Sequence, residues 1–334
     1  MGEKVSKLAY YRPHLTLIYT TVRIMPQYAF TLFIPTYNRA HTLDRTLASV
    51  AELSFRDFEV IVVDDGSTDN TTALIETWQT LASFPLVHLK QPNQGKHAAH
   101  NNAIAKAQGE LFMTLDSDDS ILPHALGDLH RHWLAIPAAE RADFLGVAGL
   151  CVNEDGSTSG EPYPQPVIDA SYCDIFQHCR MNGERREALR TDILRQQPYP
   201  LIAGERHVRP SLILRRLGHR YKIRFTNELL QINRHAPDGI TANRFRYRMN
   251  NPKGLRLYYE EELNQHCQHL NRRQQRQAAA AYIRYSLHSG VGLLAQAKAI
   301  NQRSLWLRSL LRGSVDYLSD RIKSATRAKT SHLK

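Results

Sequence analysis

Between Phe30 and Trp133, short apolar runs alternate with stretches in which apolar residues recur every three or four positions. Phe30–Ile34, Glu59–Val63, Leu86–Leu89 and Leu111–Leu115 have the length and apolar character of buried strands, and the second is β-branched. Between them, Thr42–Leu53 carries Leu43, Leu47 and Val50 at helical spacing. Thr71–Leu81 follows Asp69 and Asn70, either able to cap a helix, and Lys96–Ala107 is Ala-rich after Gly95. Strands alternating with helices predict an α/β fold with a doubly wound, mostly parallel sheet. Ala142–Leu150 is a further apolar segment able to extend it. Asn153–Pro166, with two glycines and three prolines, reads as a mobile loop. Beyond it the pattern turns helical and basic. Gln274–Leu318 reads as helix interrupted at Gly290 and Gly313, and Arg327–Lys334 as a frayed tail.

With 334 residues and 42% hydrophobic content, the chain is long enough for one large or two modest cored domains. No run approaches the roughly 18–20 apolar residues of a membrane span. The apolar Leu15–Tyr19 is far shorter, and the N-terminus lacks the pattern of a signal peptide. Residues 1–24 read as a tail, or as a start placed ahead of Met25. Cys151, Cys173, Cys179 and Cys267 show no paired spacing, which argues against a disulfide framework and for a reducing cytoplasm. His266-Cys267-Gln268-His269 lacks two further ligands at matching spacing, so a structural reading outweighs a metal site.

The net charge of +11 is concentrated. Arg180 to Arg256 holds 18 Lys/Arg against 6 Asp/Glu, an excess of 12 that accounts for the whole imbalance. This suggests an anionic partner, whether nucleic acid, a phosphorylated substrate or an acidic membrane surface, with a plain solvated surface as the alternative. The aromatic residues there carry no RNA-binding signature, and no nucleic acid is expected.

The polar residues of the first half fall where a parallel sheet binds ligands, beyond the carboxyl ends of its strands. Strand one runs into Pro35-Thr36-Tyr37-Asn38, strand two into Asp64-Asp65-Gly66-Ser67, and strand four into Asp116-Ser117-Asp118-Asp119. In the order 3-2-1-4 these three ends share one crevice. Asp65 can accept a hydrogen bond from a uracil or guanine N–H. Asp116 and Asp118 can hold Mg²⁺ or Mn²⁺, hard ions that take oxygen ligands and bridge to phosphate. Lys96 can meet a diphosphate as a point charge. Neither G-x-G-x-x-G nor G-x-x-x-x-G-K-[ST] occurs, which disfavours a dinucleotide cofactor and P-loop chemistry. Any one of these features is weak, since Asp-x-Asp pairs are common in turns. Their joint occurrence at successive strand ends carries the signal.

Phe33-Ile34-Pro35-Thr36-Tyr37-Asn38-Arg39, Val62–Asp69, Asn93-Gln94-Gly95-Lys96, Asn101 with Ala107–Glu110, and Leu115–Asp119 resemble family 2 glycosyltransferases of the GT-A fold, over about Ala29 to Trp133. The resemblance implies inverting transfer of a sugar from a UDP-, GDP- or dTDP-sugar, with Mg²⁺ or Mn²⁺. It implies that Pro35, Thr36, Tyr37 and Asn38 line the base and ribose, and that Asp65 reads the base. It sets Lys96 and Asn101 near the donor, Asp116 near ribose and metal, and Asp118 on the metal. Arg190–Leu194, Gly204-Glu205-Arg206, Asn227-Glu228, Asp238–Thr241 and Asn251–Gly254 resemble a bacterial polysaccharide-type branch of the family. In that branch an acidic base lies six residues before the equivalent of Arg216, where this chain has Pro210.

The expected organisation is therefore a tail over 1–28, a GT-A domain over 29–256, and a helical basic region over 257–334. Within the domain, 29–133 serves the nucleotide sugar and 134–256 the acceptor. Proline accepts no proton, so Glu205, the nearest carboxylate, is the candidate base. The alternative is a nucleotide-sugar-binding protein impaired by Pro210. By resemblance the acceptor is a saccharide or lipid-linked saccharide of cell-surface polysaccharide synthesis, met at the cytoplasmic face. A processive synthase is disfavoured, since the Gln-x-x-Arg-Trp motif is missing. Leu305-Trp306-Leu307, Leu310, Leu311, Val315, Leu318 and Ile322 form an apolar stripe among arginines. The stripe fits a helix packed on the domain or one lying peripherally in an anionic membrane interface.

Overall fold

The structure is a computed structural model that describes residues 26–178, 183–234 and 243–331. The tail over 1–24, Cys179 and the Asp238–Thr241 motif lie outside the described residues. The strands are β1 (Tyr28–Thr36), β2 (Phe58–Asp64), β3 (Leu86–Lys90), β4 (Gly109–Thr114), β5 (Ser120–Ile121), β6 (Phe144–Asn153), β7 (Val167–Ser171), β8 (Arg185–Arg190) and β9 (Lys222–Asn233). They form one sheet ordered β3-β2-β1-β4-β8-β6-β9-β5, with β7 also on β9. The first four strands pair in parallel in the order 3-2-1-4 that the strand–helix alternation anticipates.

Helices cover both faces of this half, which is why its strands are apolar throughout rather than alternating. Every residue of β2 is buried. Phe30, Leu32 and Ile34 of β1 pack with Leu43, Leu47 and Val50 of α1 (Ala40–Ala51) and Ile75 of α2 (Thr71–Leu81). On the other face, Phe33 packs with Ala99, Ala103 and Ile104 of α3 (Lys96–Lys106). α4 (Ala125–Leu134) closes the first face with Leu126, Leu129 and Trp133.

Beyond β4 the strand directions mix. β8 runs antiparallel to β4 and to β6, while β9 is parallel to β6. Three segments in the region read as helical from sequence are strands, β7, β8 and β9. The arginines of Arg185–Arg190 obscured the pattern, because the structure satisfies them internally. Arg185 is buried and donates to the Ser159 and Glu161 carbonyls and the Tyr163 hydroxyl. The same bonds anchor residues 159–163 of the segment expected to be mobile to the interior strand β8. The helices of this region are short: α5 (Tyr172–His178), α6 (Thr191–Arg195), α7 (Ser211–Leu217) and α8 (Arg244–Asn250).

α9 (Pro252–Gln265), α10 (Arg272–His288), α11 (Leu293–Ala299) and α12 (Arg303–Ser331) gather around Leu263, Tyr282, Ile283 and Trp306. The break at Gly290 is real, with φ of +74°. Gly313 breaks nothing. α12 passes through it, and a Cβ there would lie 2.6 Å from Ile283 Cβ and 2.8 Å from the Ala280 carbonyl. The glycine lets α12 approach α10 closely. α12 also extends through most of the expected frayed tail. Arg284 and His288 of α10 clamp the buried Asp320 of α12 at 2.5–3.0 Å. His266 and His269 stack on His219 at 4.7 and 4.0 Å between ring centroids. Among the described residues, no group of three metal-ligating side chains is placed to hold an ion.

Candidate active site

The carboxyl ends of β1, β2 and β4 meet in one crevice, and the loops leaving them are tied together. The Asp65 N–H donates to the Thr36 carbonyl at 2.9 Å. Asn38, in the left-handed region at φ 52°, donates its N–H to Ser67 Oγ and accepts the Thr68 N–H. Asp64 accepts Ser67 N–H and Thr72 Oγ–H, fixing the turn into α2. Pro35 and Thr36 close β1, Tyr37 stands exposed, and Thr36 Oγ1 is buried without a hydrogen-bond partner. A buried hydroxyl facing no protein partner in a ligand crevice suits a ligand polar atom.

Asp65 is buried. It accepts Gln91 Nε2–H and the Gln94 N–H on one oxygen, and the Gly95 N–H on the other, at 2.7–2.8 Å. A carboxylate has about four acceptor sites, so one remains for a ligand. Those bonds pull the 91–95 loop over the crevice and set the start of α3. Gly95 is required there: at φ +94°, a Cβ would sit 2.0 Å from the Arg206 carbonyl.

Lys96 then meets Asp116 in an ion pair, and Arg186 of β8 donates to the other Asp116 oxygen at 3.3 Å. Burial opposes the Asp116 charge, but Lys96 and Arg186 outweigh it and hold its carboxyl down at about 2. Asp119 accepts Arg186 at 3.1 Å, Gln231 Nε2–H at 2.7 Å and the Arg234 N–H at 2.8 Å. Burial and the Asp116 charge still push it up to about 6. The Asp118 carboxyl is also raised, first by burial and then by Asp116. A carboxylate raised by its acidic neighbour fits a divalent cation, which would relieve both charges. The two candidate metal ligands thus differ, Asp116 being ion-paired on both oxygens while Asp118 is the more available. With no third protein ligand converging among the described residues, donor phosphate oxygens and water would complete such a sphere.

Two residues expected at this site have other work. Asn101 donates to the Tyr199 carbonyl at 2.8 Å and accepts the Tyr199 N–H at 2.9 Å, so its amide pins the 199 segment to α3. Glu205 is buried beneath the start of α9, accepting Lys253 N–H and Gly254 N–H at 2.7 Å each. These are free N–H groups of a first turn whose leading residue, Pro252, has none. A carboxylate held by both oxygens at a helix N-terminus is a structural anion.

Beside the crevice lies a cavity of about 350 Å³. Lys96, Asp116, Arg186 and Glu187 supply its charged wall. Phe33, Phe112, His100 and Tyr199 supply a ring-lined one, and Pro210 borders it. His100 lies edge-on to all three other rings at 5.0–5.9 Å. Burial, then Lys96, push its imidazole down to about 3. Burial pushes the Glu187 carboxyl up to about 7 against the neighbouring Arg186. The sequence reading missed Arg186 and Glu187. Their signal was the charged run Glu184-Arg185-Arg186-Glu187, which becomes legible only once β8 is seen to lie beside the end of β4.

The family model for glycosyl transferase family 2 matches residues 31–153. Among curated relatives, the GalNAc(5)-diNAcBac-PP-undecaprenol beta-1,3-glucosyltransferase of Campylobacter jejuni is 34% identical over 164 residues. That alignment takes in 46% of this chain and 53% of the relative, so the chain spans about half the length of that protein. Among solved structures, Staphylococcus aureus TarS residues 1–349 in complex with UDP-GlcNAc superposes with a TM-score of 0.55 at 19% identity, covering 84% of this chain and 79% of TarS. A Pyrobaculum calidifontis mannosyltransferase in complex with GDP-Man and Mn²⁺ gives a TM-score of 0.52 at 18% identity, covering 89% and 90%. At those identities the superpositions speak to the fold, and the family match speaks to the segment that builds the crevice. Residues 31–153, which build the crevice, thus match the glycosyl transferase family 2 model, and the chain as a whole has the GT-A fold of these structures.

Proposed function

We propose that this protein is an inverting glycosyltransferase that moves a sugar from a nucleoside-diphosphate sugar to a saccharide or lipid-linked saccharide acceptor. The observation that carries this reading is the convergence of three polar strand ends on one crevice, with Asp118 raised beside Asp116. The relatives' ligands, UDP-GlcNAc and GDP-Man with Mn²⁺, support a nucleotide sugar here. The lipid-linked name of the Campylobacter relative supports an acceptor in surface polysaccharide synthesis.

In this reading Pro35 to Asn38 hold the base and ribose, and Asp65 offers its remaining acceptor site to a base N–H. A bound Mg²⁺ or Mn²⁺ supplies charge neutralisation at the diphosphate as it leaves. Lys96 is held by Asp116 within reach of the same developing charge, where a fixed cation favours bond breaking. The ring-lined cavity excludes water and positions the acceptor. The experiment is a screen of the purified protein with UDP-, GDP- and dTDP-sugars and Mn²⁺, following nucleoside diphosphate release and the anomeric configuration of the product. Release from one donor class with inversion is expected. A second reading, a nucleotide-sugar-binding protein without turnover, is favoured by Pro210 on the cavity wall. It would show nucleotide binding with no release from any donor.

A further inference from the structure

Inverting transfer needs a group that takes the proton from the attacking hydroxyl as its oxygen meets the anomeric carbon. That group must stand in the acceptor space. The cavity beside the donor crevice has two carboxylates in its wall, Asp116 and Glu187. Asp116 is bound to Lys96 and Arg186, and those two cations leave it little affinity for a proton. The imidazoles in the wall are weak bases too: burial lowers His97, His100 and His207, the last to about 4. Glu205 is outside the wall with both oxygens on α9. Pro210 has no acidic side chain.

Glu187 differs from each of them. It follows Arg186 on β8, facing the Ala148 position of β6 on one side and running beside the end of β4 on the other. It shares the cavity wall with Thr114, Asp116 and Pro210. Among the described residues its carboxyl makes no ion pair and takes no hydrogen bond from another residue's side chain. A carboxylate in a cavity wall that is bonded to its own backbone N–H but to no side chain among the described residues is costly to the fold unless a ligand uses it.

We infer that Glu187 is the general base of this transferase, in the place that Pro210 cannot fill. The inference rests on the transferase reading above. The acceptor O–H proton passes to the Glu187 carboxylate, and the freed oxygen pair forms the new bond to the anomeric carbon. The bond from that carbon to the diphosphate breaks, its electron pair leaving on the phosphate oxygen. The raised proton affinity of Glu187 is what such a base needs near neutral pH.

The test uses the full chain with Mn²⁺ and the donor sugars UDP-glucose, UDP-GlcNAc and GDP-mannose. It reads the single-turnover rate of nucleoside diphosphate release beside calorimetric affinity for UDP and GDP. Glu187→Gln is expected to lose at least about 100-fold in rate with nucleotide affinity unchanged. Release at the wild-type rate by Glu187→Gln overturns the assignment. Glu187→Ala is the second variant, assayed with and without sodium formate. Formate-dependent recovery supports a base role, which a purely structural carboxylate would not show, and a wild-type rate without formate overturns it. A wild-type protein that binds neither UDP nor GDP instead sinks the transferase reading itself, an outcome separate from either variant's.

Discussion

Both oxygens of Glu205 accept N–H groups from the first turn of α9, so its charge is matched to the positive end of that helix. Glu205→Gln keeps one acceptor and turns an NH₂ group toward a backbone donor. It is expected to cost about 1–3 kcal/mol in urea unfolding and to leave nucleoside diphosphate release within about twofold. A steep loss of release with unchanged stability would restore Glu205 as the base. His100 yields a prediction with a defined sign. Its folded pKa of about 3 lies below the ordinary 6.5, so the native state favours the neutral ring. Stability from this source is complete above pH 6.5 and is lost as pH falls toward 3. The melting temperature of the wild type should therefore fall relative to His100→Phe between pH 7.5 and 4.5, and a constant difference would contradict it. At this scale, sequence could put Asp65, Asp116 and Asp118 just past strand ends and Lys96 at the start of α3, because those are positions that motifs mark. It could not separate a carboxylate facing a ligand from one tied to a helix, since Glu205 and Asn101 meet partners 48 to 98 residues away.

β1, β2, β4 and α1 were legible because each buries the residues that its apolar run or spacing records. β8 was not. Its Arg-Arg-Glu-Ala-Leu-Arg sequence carries four charges in six residues, and the burial of Arg185 depends on carbonyls of the 159–161 segment. The strand is defined by partners rather than by its own composition, which is also why Arg186 and Glu187 escaped notice. The helix α12 shows the same limit at Gly313. Glycine in a helix interior is about 1 kcal/mol worse than alanine, so composition suggests a break. The 2.6 Å and 2.8 Å approaches to α10 decide otherwise. Gly313→Ala is expected to destabilise by about 1–3 kcal/mol through overpacking, despite better helix propensity. A rise in melting temperature would show that α10 and α12 do not meet as described.

Among the described residues, α12 presents a long apolar stripe to its surroundings. Trp306, part of the stripe that the sequence leaves open between packing and a membrane interface, is buried, with its indole N–H on Gln296 at 3.3 Å. It packs α12 against α10 and α11. The opposite side of α12 leaves Leu307, Leu311, Val315, Leu318 and Ile322 exposed, with Arg308, Arg312, Arg321 and Lys323 nearby in sequence. The two readings of the stripe, packing and display, are thus divided between two faces of one helix. Among the described residues no helix is long and apolar enough to cross a membrane. A peripheral hold on an anionic surface is proposed, with the basic 180–256 segment adding about 1 kcal/mol per Lys or Arg near the surface. Co-sedimentation with anionic liposomes is expected at low salt, to weaken at high salt, and to fall in Leu311→Ser/Leu318→Ser. No binding by folded protein at low salt would remove this part of the account.

The central claim is that the ends of β1, β2 and β4 hold a nucleoside diphosphate through a divalent cation on Asp118. Calorimetric titration with UDP and with GDP, each with and without Mn²⁺, tests it on wild type and Asp118→Ala. One nucleotide is expected to bind the wild type in a Mn²⁺-dependent way, and that dependence to vanish in Asp118→Ala while the melting temperature holds. Equal affinity of the two proteins in the presence of Mn²⁺ would contradict it.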